Sequence, residues 1–392
     1  MAGRLHRFLA GCALLQALAA PHAGAIEVDV TARYRADPSG KFENTTPKAV
    51  FCARFRFNCE GDRHAFDIPI TYTKTVTVLA PDVRDRFYLK LPSRRSVEVS
   101  NDQGERYMLT IDFTFVSQRA TEISGNPGHA ASGPRGGCSA VSMSAGFQYF
   151  AFLWRVRDIT DPCHASGVGT GGEVITVGVD EVGVATHLII PPPSGMPKGI
   201  YRGRVDYSVG DGGDFDFGSH VTDLSDNVVT FNLELDVSHD LFMRFPPGSE
   251  RAVLEPPGGW QSYLAGRSAP QRLSRDIPFT LWNTGPLQIY KQCQYDQGTL
   301  CAIRDSNGRG QQVPIQVALT LPGQLVHGGQ PIERLAIPTG EAAALDIVAR
   351  DVVWNRPGTL HFEVGSQDLP AMLARPGSRY EGLVTVMFDA DL

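Results

Sequence analysis

Apolar and polar residues alternate with a period of two along most of the chain. In IEVDVTARY, Ile26, Val28, Val30 and Ala32 fall at every second position. Ile68, Ile70, Tyr72, Val76 and Val78 run among threonines and Lys74, and Tyr107, Leu109, Ile111, Phe113 and Phe115 alternate across YMLTIDFTF. Phe231, Leu233, Leu235 and Val237 repeat the pattern, as do Val313, Ile315, Val317, Leu319 and Leu321. Side chains on a strand point to opposite faces in turn, so each run predicts a half-buried antiparallel strand. Turn clusters separate them: Asn101-Asp102-Gln103-Gly104, Asp211-Gly212-Gly213, Pro256-Pro257-Gly258-Gly259 and Ser306-Asn307-Gly308. One helical turn is expected, at 369–374, stopped by Pro376-Gly377. The Gly-rich stretch 124–137 reads as a surface loop. The fold class is all-β, built as β-sandwiches.

The stretch RYEGLVTVMFDADL, 379–392, stands apart. Tyr380, Gly382, Val384, Val386 and Phe388 occupy one parity, and Leu383, Thr385 and Met387 the other. Apolar groups on both faces predict a strand inside a core, which needs neighbours on both edges. The sequence ends just beyond Phe388, so the expectation is a strand that lacks a partner unless another molecule supplies one.

A boundary is expected near Ser238-His239. It divides the chain into an N-terminal unit at 26–237, a linker at 238–239 and a C-terminal unit at 240–392. Each is long enough for its own core. Residues 1–25 read as an export signal: Arg4, His6 and Arg7 precede an apolar run at 8–20, and Ala23-Gly24-Ala25 offers a small-x-small cleavage site. The apolar run lies mostly after Cys12, which argues against a lipoprotein box. No later run approaches the ~18 apolar residues of a membrane span.

Six cysteines remain beyond the signal: Cys52, Cys59, Cys138, Cys163, Cys293 and Cys301. They fall in three local pairs, and export favours oxidation, so bridges 52–59, 138–163 and 293–301 are expected. With charged residues at 20% and a formal net charge of −6, the chain has no basic footprint for nucleic acid.

Candidate chemistry is sparse. There is no GxSxG elbow, HExxH or P-loop, and no GxGxxG placed between a strand and a helix. Ser238-His239-Asp240 is contiguous, and neighbouring residues on a strand point apart, so it forms no triad. Asp206, Asp211, Asp214 and Asp216 lack the DxDxDG spacing of a calcium loop and read as a solvated hairpin tip. No cofactor and no catalytic residue is assigned. YFAFLWRVRD places Tyr149, Phe150 and Trp154 beside Arg155 and Arg157. Such a patch suits an acidic glycan, although Phe150, Phe152 and Trp154 also alternate as a core face would. The first strand, IEVDVTARY, has the pattern of a donated strand, but a whole unit follows it, so an ordinary opening strand is expected.

Taken in order, FCARFRFNCEG, GFQYFAFLWRVRD with DPCHASG, LIIPPPSGMPKGIYRGRVDYSV, NVVTFNLELDV and SRYEGLVTVMFDADL resemble segments of the minor tip subunits of alternative chaperone–usher fimbriae. These are the class 5 (CFA/I-type) tip adhesins and the cable-pilus CblD-like initiators. The resemblance implies an N-terminal adhesin sandwich and a C-terminal pilin sandwich of incomplete immunoglobulin type. It implies a periplasmic chaperone, an outer-membrane usher and a major pilin donating its N-terminal strand as partners, a host glycan or protein as receptor, and a place at the fimbrial tip on the cell surface. Tyr380, Gly382, Val384, Val386 and Phe388 would line the groove for the donated strand, and the Leu392 carboxylate would anchor the chaperone.

The resemblance departs in one place. The basic receptor cluster of the enterotoxigenic adhesins would fall at Pro47, beside Lys48, and at Asp211-Gly212, so that cluster is absent. Lys48, Arg155 and Arg157 remain as receptor-binding candidates. The alternative is a self-contained exported sandwich that binds, or cleaves, glycans.

Overall fold

A computed structural model describes residues 26–392, apart from 57–58, 60–62, 267–268, 308–309 and 391–392. The expected signal segment and Leu392 therefore lie outside the described residues. The fold is all-β.

Alternating side chains build the first unit around one long sheet. Its spine runs Tyr72–Thr77, Val174–Ile189, Arg106–Ser124, Arg95–Ser100, Gly199–Ser208, Val228–Ser238 and Ile26–Arg35. The sheet curls over itself, bringing Phe66 from a strand at one end edge-on to Phe231 near the other, with ring centroids 5.1 Å apart. Val30, Val99, Leu109, Phe113, Tyr201 and Leu235 are among the side chains sealed between the layers.

Two sheets form the second unit. One runs Leu241–Arg244, Leu273–Asn283, Val353–Val364, Gln312–Thr320 and Leu300–Asp305. The other runs Gln330–Pro331, Leu325–His327, Leu345–Ala349, Leu287–Cys293 and Val384–Asp389. Phe279, Leu281, Ile289, Val317, Leu319 and Ile347 fill the space between them. No described sheet holds strands from both sides of His239, and no apolar core cluster spans it.

Cys52–Cys59, Cys138–Cys163 and Cys293–Cys301 are bonded. Three expectations need correcting. Helical turns form at Phe51–Arg54, Pro127–Ala131 and Gln261–Leu264 as well as at Leu369–Leu373. The stretch 124–137 is not simply surface loop, because Pro127, Ala130 and Ala131 are buried. Lys74 occupies an inward position, 1% exposed, between Tyr72 and Val76. Its ammonium donates to the carbonyls of Arg84, at 3.0 Å, and of Ser219. Burial pushes its pKa down to about 8.

An open edge as the candidate functional site

The final strand of each unit can be compared directly. In the first unit that strand is Val228–Ser238. Gly199–Ser208 pairs with it antiparallel on one edge, and Ile26–Arg35 pairs with it parallel on the other. Val28 lies opposite Phe231 and Val30 opposite Leu233, and all four are buried. IEVDVTARY is thus the opening strand of its own unit, and it completes that unit.

In the second unit the final strand, Val384–Asp389, pairs antiparallel with Leu287–Cys293, from Cys293↔Val384 to Gln288↔Asp389. Among the described residues nothing pairs with its other edge. Along Val384–Phe388 the amides and carbonyls of that edge have no strand partner among the described residues.

The side chains tell the same story. Val384, Val386 and Phe388 face the core yet are only half-buried, and Thr385 and Met387 are exposed. Leu241–Arg244 forms the free edge of the opposite sheet, and its Leu241 and Met243 are also half-buried against that core. The two edges are close: the Phe279 ring lies 5.2 Å from Phe245, just past the first edge, and 6.0 Å from Phe388 on the second. Around Phe279, therefore, two sheet edges with half-buried apolar side chains approach one another.

The terminal strand is shorter than its alternation suggests. Tyr380–Glu381 belongs to the opposite sheet, where Glu381 pairs with Arg304 and Tyr380 with Asp305. The chain changes sheets at Gly382, where a Cβ would come 2.9 Å from the Ala302 carbonyl. The Gln294 side chain then accepts the Leu383 amide at 3.0 Å. Tyr380 and Gly382 are therefore not on the same strand as Val384, Val386 and Phe388. A cavity of about 760 Å³ opens at this crossing, between Tyr295, Arg304, Glu381 and Leu383. On the neighbouring strand, in register with Val386, Lys291 is buried and donates to the Ile337 carbonyl. Desolvation lowers its pKa.

The structure does not bring Lys48, Arg155 and Arg157 into one pairing. Lys48 is exposed ahead of the turn Phe51–Arg54. Arg155 lies over the Phe115 ring, 5.3 Å from its centroid. Arg157 donates to the Ser139 hydroxyl at 2.8 Å. Trp154 is buried and stacked on Phe152 at 4.0 Å, as a core residue. In the acidic hairpin Asp216 is buried, bound by Arg84 and by the Gly212 and Gly218 amides, while Asp214 pairs with Arg95.

Two features escaped the sequence reading. One is a relay on the outer face of the second unit. His361 Nδ1 lies 2.8 Å from the Asp276 carboxylate, and its Nε2 lies 2.8 Å from the Thr320 hydroxyl. The same hydroxyl accepts the Arg334 amide at 3.0 Å, and Arg334 sits at a φ of 48°. The relay thus holds a strained turn in place.

The other is the pole of the first unit farthest from the connector. Pairing register sends the C-terminal end of Arg106–Ser124 and the N-terminal ends of Tyr149–Val156 and Val174–Ile189 to that pole. There Phe147 is 103% exposed, and Leu79, Ile123, Val168 and Val174 are each at least half-exposed. Leu79, Phe147 and Val168 lie in turns, and Ile123 and Val174 at strand ends, so only their placement groups them.

No helix among the described residues is long and apolar enough to cross a membrane. No family model and no curated protein matches the chain. Among solved structures it is similar to a chaperone–tip adhesin complex described as vital for synergistic activation of CFA/I fimbriae biogenesis. Identity there is 10% over 94% of this chain and 97% of that one, with a TM-score of 0.26. It is also similar to the CsuC-CsuE chaperone–tip adhesion subunit pre-assembly complex of the archaic chaperone–usher Csu pili of Acinetobacter baumannii. That match has 9% identity over 93% of this chain and 98% of that one, with a TM-score of 0.22. At scores this low the functional reading rests on the chain's own geometry.

Proposed function

We propose that this chain is an exported fimbrial tip subunit with two domains. The N-terminal sandwich contacts a surface, and the C-terminal sandwich is completed by a strand from another molecule. One contrast supports this most: the first unit's final strand is flanked on both edges, whereas Val384–Asp389 has one neighbour among the described residues and half-buried side chains facing the core. A strand laid along the free edge would satisfy the open amides and carbonyls. Its alternate apolar side chains would cover Val386 and Phe388 from Leu241 and Met243.

A periplasmic chaperone would lend that strand first, and a neighbouring major pilin would replace it at an outer-membrane usher. The chemistry is non-covalent strand exchange. The N-terminal strand Ile26–Arg35 already serves its own unit, which suits a subunit that begins a fibre. For adhesion, the apolar turns around Phe147 are better placed than Lys48, Arg155 and Arg157, since they sit together at the pole away from the connector.

The test is capture. The exported chain is co-produced with its cognate chaperone and recovered through a tag on either partner. The proposal expects a one-to-one complex that Val386→Asp abolishes, because the substitution sets an uncompensated charge in the groove. Equal recovery of wild type and V386D would overturn it.

A further inference from the structure

The connector between the units, His239–Asp240, is not a loose tether. His239 is held from both sides. From the first unit, the Tyr34 ring packs against the imidazole with centroids 5.5 Å apart, and the Met196 carbonyl lies 2.7 Å from Nε2. A carbonyl only accepts, so Nε2 donates, and a neutral ring then carries no proton on Nδ1. Nδ1 is buried and makes no hydrogen bond.

From the second unit, Gly285 closes over the ring. A Cβ at that position would stand 2.3 Å from the imidazole, so only glycine allows this approach. The neighbouring Thr284 clamps the next residue of the connector. Its hydroxyl accepts the Asp240 amide at 2.9 Å, and its own amide donates to the Asp240 carbonyl at 3.3 Å. Further contacts flank the joint, with Gly195 facing the Ala349 carbonyl and Gly40 facing Val352.

We propose that His239 is the pin of this joint, and that protonating its ring releases the N-terminal unit from a fixed orientation. A second proton has to sit on Nδ1, within a space shaped for a neutral ring. The cation gains solvation only by leaving, and it leaves only if Gly285 and Met196 part.

The groups facing the ring do not reverse this. The Met196 and Thr284 backbone carbonyls favour the cation, as does Asp240 beside the ring, while Asp37 and Asp351 act on the Tyr34 hydroxyl. Burial is the stronger influence and holds the His239 pKa below its ordinary value. The sign follows: the closed joint binds fewer protons than the open one. Closure is therefore complete above the ordinary histidine range and is lost as pH falls through and below it.

The experiment compares the full exported chain, as a monomer, at about pH 7.5 and about pH 5, a range that spans histidine titration. Small-angle scattering reads the maximum dimension. Amide exchange, corrected for its intrinsic pH dependence, reads Asp240 and Thr284. On acidification the wild type is expected to lengthen, with those two amides exchanging on the order of tenfold faster, the change in open population that one pH unit of linkage produces. His239→Gln keeps an N–H donor for Met196 but has no titrating group, and it should stay compact with slow exchange at both pH values. An acid response in H239Q equal to that of the wild type, or no response in either, would overturn the proposal.

Discussion

Phe388 meets Phe279 across the C-terminal unit, with ring centroids 6.0 Å apart and planes inclined at 71°. Phe279 is buried, yet Phe388 is only half-buried. The pair therefore marks where the core stops being covered by the chain's own strands. This asymmetry separates the unit from its N-terminal neighbour, whose equivalent final strand is sealed by Ile26–Arg35.

Phe388→Ala should have two different costs. In the lone chain the ring is half in water, so its loss should lower stability by about 1 kcal/mol. With a complementing strand appended, the ring becomes fully covered, and the same change should cost about 3 kcal/mol, the range for a buried phenylalanine. Denaturant midpoints of the four proteins check this. Equal costs in both contexts would mean that nothing covers Phe388.

Val30→Asp is the counterpart in the first unit. Val30 is buried opposite Leu233 on a strand the chain supplies itself. The variant should lose about 3–5 kcal/mol of N-terminal stability, as buried unpaired charges do. Neither chaperone nor appended strand should restore it. Proteolysis of the first unit, with and without the chaperone, measures the outcome.

How much of this was legible in the sequence depends on what period two can report. It identified Val28, Val30, Phe231 and Leu235 as inward residues because parity and face coincide within one strand. The same parity carried Tyr380 and Gly382 onto the terminal strand, although the chain changes sheets at Gly382. Alternation has no signature for that crossing. Lys74 has the right parity for the core while its charge suggests solvent; the carbonyls of Arg84 and Ser219 that accept its hydrogen bonds lie 10 and 145 residues away, off its own strand. Asp276, Thr320 and His361 meet across sequence separations of 85 and 41 residues, so only the strand register unites them. His239 carries no periodic signature among its neighbours Ser238 and Asp240, and its burial depends on both units at once.

Lys74 gives a pH prediction. Its folded-state pKa is lowered from 10.5 to about 8, so between those values the unfolded chain binds more protons. Stability should therefore rise from about pH 8 to about pH 10, by roughly 2–3 kcal/mol, and the penalty should be fully present at neutral pH. Lys74→Met should lose most of that rise. Urea midpoints across this range provide the check, and an identical rise in K74M would assign it elsewhere.

Phe147→Ser tests where the N-terminal unit makes contact. The side chain is wholly exposed, so its removal should leave the thermal midpoint unchanged within the roughly 0.5 kcal/mol typical of surface substitutions. Retention of the chain on an apolar surface should fall several-fold. Arg155→Ala and Lys48→Ala should retain as the wild type does. Loss in either of those variants, with F147S unaffected, would return the contact to the basic residues.

The measurement that bears most directly on the central claim is amide exchange along Val384–Asp389, together with the thermal midpoint. The chain from Ile26 onward is compared alone and with a linker and the N-terminal strand of a neighbouring pilin appended. The account predicts rapid exchange on the open edge of the lone chain, strong protection in the complemented one, and a higher midpoint. If the lone chain is already protected along that strand and the appended segment changes neither quantity, the C-terminal sandwich is complete without a partner and the strand-exchange reading is wrong.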